Sequence, residues 1–590
     1  MTTIFWLLFS IVSALVSTSA LRYLTGLSLV PACGIVCGLG VITLGLILSK
    51  RLALLTADNN SSAATLSKSP SNLLLQATAQ RQLAWAALGS TWIALVLVTV
   101  GSKGRTGLFS LYSQDVASHL AYAGEFIYKS GSIYHGFVGL YGTIGLLVQL
   151  FGLHTIDAIA FAIYGLLALS LLLMACPIIE VARTTSPRWL YRIVSILACT
   201  LFFFLLDLPL FFYNIGEGFW AHITSIVVLF GLWAGYTVVA SARARIALAI
   251  VSILLYRFSY GLNLGDLVCT VSLIVWLEAA HLARFQRAMR LTAAALLAAS
   301  VVCYYKLLPL AYLYGGVVQV DTKAAIASSV VLIAGLYGAL LYLRRTQGDN
   351  TDSPIVVRFL LFPIIFSSIS TLAELTYDIA DLPERYYSFK YGVHRVMVLS
   401  FAAPIALMTV LLRWTQRLND RFSYRSIYML VIAALVTGGS CGLYNCYKIY
   451  RLGMSPLLIP ASRHFPDPLF SDAIAEAIST TLDKRGSTYH GTAAFNWSSV
   501  MFLNSFMLHK QHGEAAKELA EGMSTQGLTH PPPAACVFWI KDGYFRNPPP
   551  LPLEEVRASI ASLEQRPDKS CFRARDGQGR RFSLCHVCGT

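Results

Sequence analysis

Apolar runs of about twenty residues follow one another along most of this chain, separated by short polar stretches, and each is long enough to cross a hydrocarbon core roughly 30 Å thick. The runs are Thr3–Tyr23, Leu27–Leu48, Leu83–Gly101, Ile156–Ala182, Trp189–Tyr213, Trp220–Ala240, Arg245–Gly261, Gly265–Ala283, Met289–Tyr314, Ala324–Arg344, Ile355–Leu375, Tyr391–Trp414 and Ile427–Tyr444. A bilayer leaves backbone polar groups no partner outside their own segment, so these runs are expected to be α-helices. The stretch Gly136–Gly152 (GFVGLYGTIGLLVQLFG) is shorter and Gly-spaced, and is expected as a re-entrant or interfacial helix packed on its neighbours; a short true crossing is the alternative. The expected fold class is an all-α polytopic membrane bundle of about 13 spans plus that one helix. The bundle would occupy residues 1–446, and a small α/β or α+β soluble C-terminal domain would occupy 447–590.

Composition supports this pattern: of 590 residues 56% are hydrophobic and 13% charged, with a net charge of +15. A basic balance invites a nucleic-acid partner, but Lys and Arg sit mostly in short loops between the runs, which is the positive-inside bias of a membrane protein. No nucleic-acid partner is expected. Met1–Leu24 has no basic residue ahead of its apolar stretch and reads as a retained first span rather than a cleaved signal peptide.

The loops holding Lys50, Arg51, Lys68 and Arg81, then Arg183, Arg188 and Arg192, then Arg243 and Arg245, then Arg284, Arg287 and Arg290, then Arg413, Arg417, Arg421 and Arg425 are assigned to the cytoplasm. They agree with one another only if Gly136–Gly152 makes no net crossing. The outward side then receives Ser102–His135, Asn214–Gly218, Leu262–Leu264, Gly315–Lys323, Glu374–Lys390 and everything after Tyr444. The acids Asp115, Glu125, Glu217, Asp266, Asp321, Glu374, Asp378, Asp381 and Glu384 gather at that face, an observation independent of the basic residues that set the topology.

After Tyr444 charged residues, His, Pro and Gly return and no further span occurs. Of the 12 cysteines, Cys536, Cys571, Cys585 and Cys588 lie in this tail. Disulfides are the preferred reading in an oxidising compartment. Zinc at Cys585-His586-Val587-Cys588, or unpaired thiols, stay open as alternatives.

Three polar clusters next to spans offer chemistry. In YSQDVASHLAYAGEF, Asp115 and His119 are one helical turn apart on an amphipathic stretch, where Asp115 can accept a proton from an attacking hydroxyl and His119 can orient it. Glu217 and His222, in EGFWAH, place a carboxylate and an imidazole beside aromatic rings suited to stacking on a sugar. The stretch from Glu384 to Arg395 is densely polar: Tyr387, Lys390 and His394 share a helical face, and Lys390 and Arg395 are placed to hold a lipid phosphate. Arg257, Asp266, Glu278 and Lys306 are ionisable residues within spans, expensive in hydrocarbon and therefore expected to face the bundle interior or an interface. Arg257 and Lys306 are expected either to join the phosphate site or to pair structurally with Asp266.

An acid in the first large outward loop with a His four residues on, an apolar Gly-rich segment ending in FGLH, many spans and an outward C-terminal domain together resemble the GT-C superfamily of integral membrane glycosyltransferases. Arg385-Tyr-Tyr-Ser-Phe-Lys390 also looks like the YYxxK stretch of some arabinofuranosyltransferase-like members. The resemblance implies transfer of a hexosyl or pentosyl unit from a polyprenyl-phosphate-linked sugar donor to a glycan, lipid or protein acceptor. It places the reaction on the outer side of a bacterial inner membrane, with inversion and Asp115 as base. No cofactor or metal ligand is assigned. The family often shows two acids in this loop, whereas Gln114 precedes Asp115 here, which leaves divalent-metal dependence open. An envelope-polysaccharide polymerase or ligase, a lipid or sugar transporter or flippase, and a non-catalytic scaffold are the rival classes.

Overall fold

The structure is a computed structural model and describes residues 2–40, 123, 126, 138–153, 155–185, 220–313, 322–346, 354–378, 386–417, 488–492, 535–540, 553–575 and 581–588. The described residues are mostly helical. In chain order the helices are α1 (Thr2–Thr25), α2 (Leu29–Gly40), α3 (Val138–Phe151), α4 (Thr155–Thr185), α5 (Trp220–Val238), α6 (Ala242–Ser259) and α7 (Leu264–Ala279). They continue with α8 (Gln286–Leu313), α9 (Thr322–Thr346), α10 (Pro354–Asp378), α11 (Tyr386–Arg417) and, in the tail, α12 (Leu553–Glu564).

Six of these helices contain stretches long and apolar enough to cross a membrane: Thr2–Thr25, Phe161–Val181, Ala221–Val238, Gln286–Tyr304, Ile326–Arg345 and Pro354–Leu375. α2, α6, α7 and α11 coincide with other apolar runs of the sequence but fall short of that standard. α7, for example, has 16 residues and rises only about 24 Å. The runs Leu83–Gly101, Trp189–Tyr213 and Ile427–Tyr444 lie outside the described residues. α3 is a helix of 14 residues, about 21 Å long, which is too short for the hydrocarbon core.

Packing orders the helices by their ends. At one end, α5 finishes where α6 begins: Arg245 Nη1 donates to the carbonyls of Val239 and Ala240 at 2.7 and 2.6 Å. Its Nε and Nη2 meet both oxygens of Glu278, near the end of α7, at 2.9 and 2.5 Å. Arg358, in the second turn of α10, donates to Thr237 O at 3.2 Å, and Thr2 Oγ1 of α1 donates to Val238 O at 3.3 Å. At the other end sit the start of α5, the end of α6, the start of α7 and the end of α10, joined by contacts described below. Among the described residues Arg245 and Arg358 thus share one end of the bundle, and the carboxylates Asp266 and Glu374 share the other.

Between the two ends, an aromatic layer packs α5 against α10. Trp233 stacks on Phe362 with ring centres 6.0 Å apart and lies 4.8 Å from Phe359, and Phe362 stacks on Phe366 at 6.3 Å. The indole Nε1 of Trp233 donates to Phe359 O at 2.9 Å. Helices approach closely through glycine. A Cβ on Gly142 of α3 would lie 1.9 Å from Ser19 Oγ and 3.0 Å from Ser19 Cα on α1, so the two backbones meet there without room for any side chain.

In the tail, β1 (Thr488–Thr492), β2 (Ala535–Ile540), β3 (Ser570–Arg575) and β4 (Arg581–Cys588) form a sheet in the order β1-β2-β4-β3. β1 and β2 run parallel, and the other pairs are antiparallel. With α12 this makes an α/β unit, as expected from the sequence. Trp539 is fully buried and its Nε1 donates to Glu564 Oε1 at 2.9 Å, which ties the sheet to α12. Cys571 and Cys585, opposite each other on β3 and β4, form a disulfide, and Cys588 is disulfide-bonded as well. Both cysteines of the Cys585-His586-Val587-Cys588 stretch are therefore consumed, and the zinc alternative is set aside.

Replacing Gly142 with Leu is expected to push α3 off α1 and to destabilise the protein by about 1–3 kcal/mol, read as a lowered midpoint of thermal unfolding in detergent. An unchanged midpoint would mean that the α1–α3 contact is not close.

Candidate functional site

The acid-bearing end is assembled from side chains that seven helices project inward. His222 and Ser225 lie in the first turns of α5, Tyr256 in the last turn of α6 with Tyr260 just beyond it, and His394 near the start of α11. The His222 and His394 rings stack at 5.1 Å with an interplanar angle of 20°, and Tyr260 closes on His222 at 4.1 Å. Tyr256 meets His394 edge-on at 6.0 Å. His222 and His394 are both buried.

The protonation of His394 follows from its neighbours. Ser225 Oγ lies 2.7 Å from the His222 carbonyl, which can only accept, so the single hydroxyl proton points there. The same oxygen lies 2.8 Å from His394 Nε2 and must accept, which places the imidazole proton on Nε2. Nδ1 then carries a lone pair, and it has no hydrogen-bond partner among the described residues. A buried acceptor left bare costs about 1–3 kcal/mol, so a native site that keeps one is a place to expect an ordered water or a ligand hydroxyl.

A second element of the site is the carboxylate of Asp266, fully buried in the first turn of α7, where the helix N-terminus favours negative charge. Tyr304 of α8 donates its hydroxyl to Oδ1 at 2.6 Å, and Asn263 Nδ2 donates to Oδ2 at 3.2 Å. Gly265 lets this happen: a Cβ there would stand 2.9 Å from the Tyr304 ring. The third element joins α9, α10 and α11. Arg395 Nη1 pairs with Glu374 Oε2, and Arg395 Nε donates to Ser329 Oγ at 3.0 Å. Arg395 and Glu374 side chains are 1% and 5% exposed, which decides their reading as a buried ion pair rather than surface charges.

Several sequence expectations are corrected here. Arg395 was expected to clamp a lipid phosphate, but its guanidinium is committed to Glu374 and Ser329 inside the bundle. Arg257 is exposed on the last turn of α6 and forms no ion pair with Asp266, whose carboxylate goes to Tyr304 and Asn263 instead. Glu278 does face the interior, but at the opposite end, with Arg245. His222 sits buried inside the bundle.

His394 and His222, which the sequence assigns to different clusters, are brought together. Tyr387 and Lys390 lie in the first turns of α11, and Lys306 lies on α8; their side chains are outside the described residues, as are Asp115, His119 and Glu217 entirely. Ser225, Tyr256, Tyr260, Tyr304 and Ser329 were missed, because a hydroxyl within an apolar run reads as an ordinary helix residue. The break SYGLNLGD between α6 and α7 was the available signal, since it concentrates Tyr260, Asn263 and Asp266 at one helix junction.

No protein-family model matches this chain, and no curated protein is significantly similar to it.

Removing one partner of the Arg395–Glu374 pair strands a charge in the bundle. Glu374→Ala is expected to destabilise the protein by about 3–5 kcal/mol, whereas the double change Glu374→Met with Arg395→Met recovers most of that loss. A double-mutant cycle on thermal unfolding checks this, and equal single and double losses would refute the pairing.

Proposed function

We propose that the protein is a membrane glycosyltransferase of the GT-C type. It would move a hexosyl or pentosyl unit from a polyprenyl-phosphate donor to an acceptor on the outer face of a bacterial inner membrane. The observation that carries this reading is the one-sided placement of chemistry. Asp266, Glu374, His222 and His394 gather at one end of the bundle, and the layer of Trp233, Phe359, Phe362 and Phe366 separates them from the arginine end. A conduit through the bilayer needs polar groups along its whole length, and that aromatic layer opposes one. A site that works on a lipid-borne substrate from one side needs polar groups only where the headgroup arrives.

In this reading the remaining spans of the thirteen complete the bundle, and the tail lies outside the cytoplasm, where a disulfide such as Cys571–Cys585 persists. Phe126, downstream of Asp115 in the sequence, is buried 6.0 Å from Tyr141 of α3. A Cβ on Gly139, in the first turn of α3, would stand 2.9 Å from Thr224 and 3.4 Å from Ser259, both at the acid-bearing end. Phe126 and the first turn of α3 thus lie near the polar cluster, which supports a place for Asp115 close by. Asp115 takes the proton of the acceptor hydroxyl as its oxygen bonds to the anomeric carbon, and the bond from that carbon to the phosphate oxygen breaks with inversion. His119 orients the acceptor, and Glu217 and His222 belong to the sugar subsite. The bare Nδ1 of His394 accepts a sugar hydroxyl, and Tyr260 on His222 offers an aromatic face to the ring. Lys390, with Lys306 and Tyr387, steadies the departing phosphate. No metal or other cofactor is assigned.

Cells lacking the protein are expected to accumulate a prenyl-linked sugar, seen by mass analysis of envelope lipids. Asp115→Asn should abolish transfer at unchanged expression and membrane insertion; an active Asn variant removes Asp115 from the base role. Lys390→Ala should raise the apparent donor Kd about tenfold or more, as loss of a charge-assisted contact would. Donor affinity equal to that of the unaltered protein would take Lys390 out of the phosphate site.

A further inference from the structure

The arginine end of the bundle holds cations that neither the ion pairs nor the polar cluster uses. Arg243 lies in the first turn of α6, Arg284 in the turn after α7, and Arg287 and Arg290 in the first turns of α8; all four are exposed. Two of them are fixed over aromatic rings. The Arg243 guanidinium carbon is 5.4 Å from the centre of the Phe285 ring, and that of Arg290 is 5.3 Å from the centre of the Trp276 ring. Stacking holds a guanidinium plane while leaving its N–H edge free to donate.

The nearest acid in this part of the chain is Glu278, and both of its oxygens are taken by Arg245. Among the described residues no carboxylate pairs with Arg243, Arg284, Arg287 or Arg290. The N-termini of α6 and α8 open here too and add partial positive charge. Beside the cations, Trp276, Leu277, Phe285 and Leu291 are 50%, 43%, 45% and 65% exposed, an apolar flank adjoining a concentrated positive charge.

We propose that this junction of α6, α7 and α8 is a binding site for an anionic phospholipid of the leaflet at that end. The arginines take the phosphodiester oxygens of the headgroup, and Trp276, Leu277 and Leu291 line its acyl chains. Four uncompensated guanidiniums match a lipid with a negative phosphodiester and a negative or neutral remainder better than a zwitterion, whose own ammonium they would repel. The site is separate from the acid-bearing end and does not rest on the transferase reading.

The test uses the full chain purified in detergent and titrated with phosphatidylglycerol, phosphatidylcholine or soluble glycerol phosphate, with bound lipid counted by native mass spectrometry. Phosphatidylglycerol is expected to be retained in preference to phosphatidylcholine, and glycerol phosphate not to displace it at equal concentration. The triple change Arg284→Gln, Arg287→Gln and Arg290→Gln is expected to weaken phosphatidylglycerol binding by about a hundredfold, roughly fivefold per arginine. Arg344→Gln with Arg345→Gln, in the last turn of α9 and also exposed, should leave it within about twofold, a change too small to count as the loss of one such arginine. Equal retention of the two lipids, an unaltered triple variant, or an equal loss in the α9 variant would each overturn the site, the last by reducing it to diffuse surface charge. Displacement by glycerol phosphate would overturn the lipid as its occupant.

Discussion

In a hydrocarbon solvent a charged side chain must bring its counter-charge with it, and two buried pairs meet that demand at opposite ends of this bundle. Arg245 holds Glu278 and the carbonyls left open at the end of α5, so three helix termini are locked by one guanidinium. Arg395 holds Glu374 and Ser329 and fixes α9, α10 and α11 to one another. Neither pair stabilises much relative to a well-packed apolar alternative, but each penalises any arrangement in which its partner is absent. The registers of the helices, and with them the positions of His222, His394 and Asp266, follow from that penalty.

The polar cluster at the acid-bearing end is built on the same accounting of hydrogen bonds. Asp266 has both oxygens engaged, and Ser225 uses its one proton and one lone pair to set the tautomer of His394. What remains over is the Nδ1 lone pair, next to a stacked imidazole and tyrosine ring. Chemistry that recognises hydroxyl groups on a ring fits such a remainder. The proposed transfer also needs a base near the surface, and Asp115 is the residue the sequence offers for it.

How much of this was legible beforehand varied with the kind of interaction. Hydropathy located α1, α4, α5, α8, α9, α10 and α11 to within a few residues, because a bilayer allows apolar runs only one conformation. The shared end of Asp266 and Glu374 was also readable, since each lies next to a break between spans. The partners were not. His222 and His394 are 172 positions apart, and nothing local to either says that their rings stack. Arg395 looked like a phosphate ligand because its nearest sequence neighbours are polar, while the carboxylate that claims it belongs to another helix. Cys585 and Cys588 have a spacing shared by metal sites and by disulfides, and only strand register separated the two.

The strand order of the tail bears on how the protein is made. β4 is synthesised after β1, β2 and β3, yet it is the strand that lies between β2 and β3. Until it leaves the ribosome, β2 and β3 have no common neighbour, and the thiol of Cys571 has no Cys585 to meet. Insertion of the helices can proceed span by span as the chain emerges, but the sheet has to wait. A nascent tail therefore carries reactive thiols and open strand edges until its last strand is made, which makes this stage the one most dependent on folding helpers.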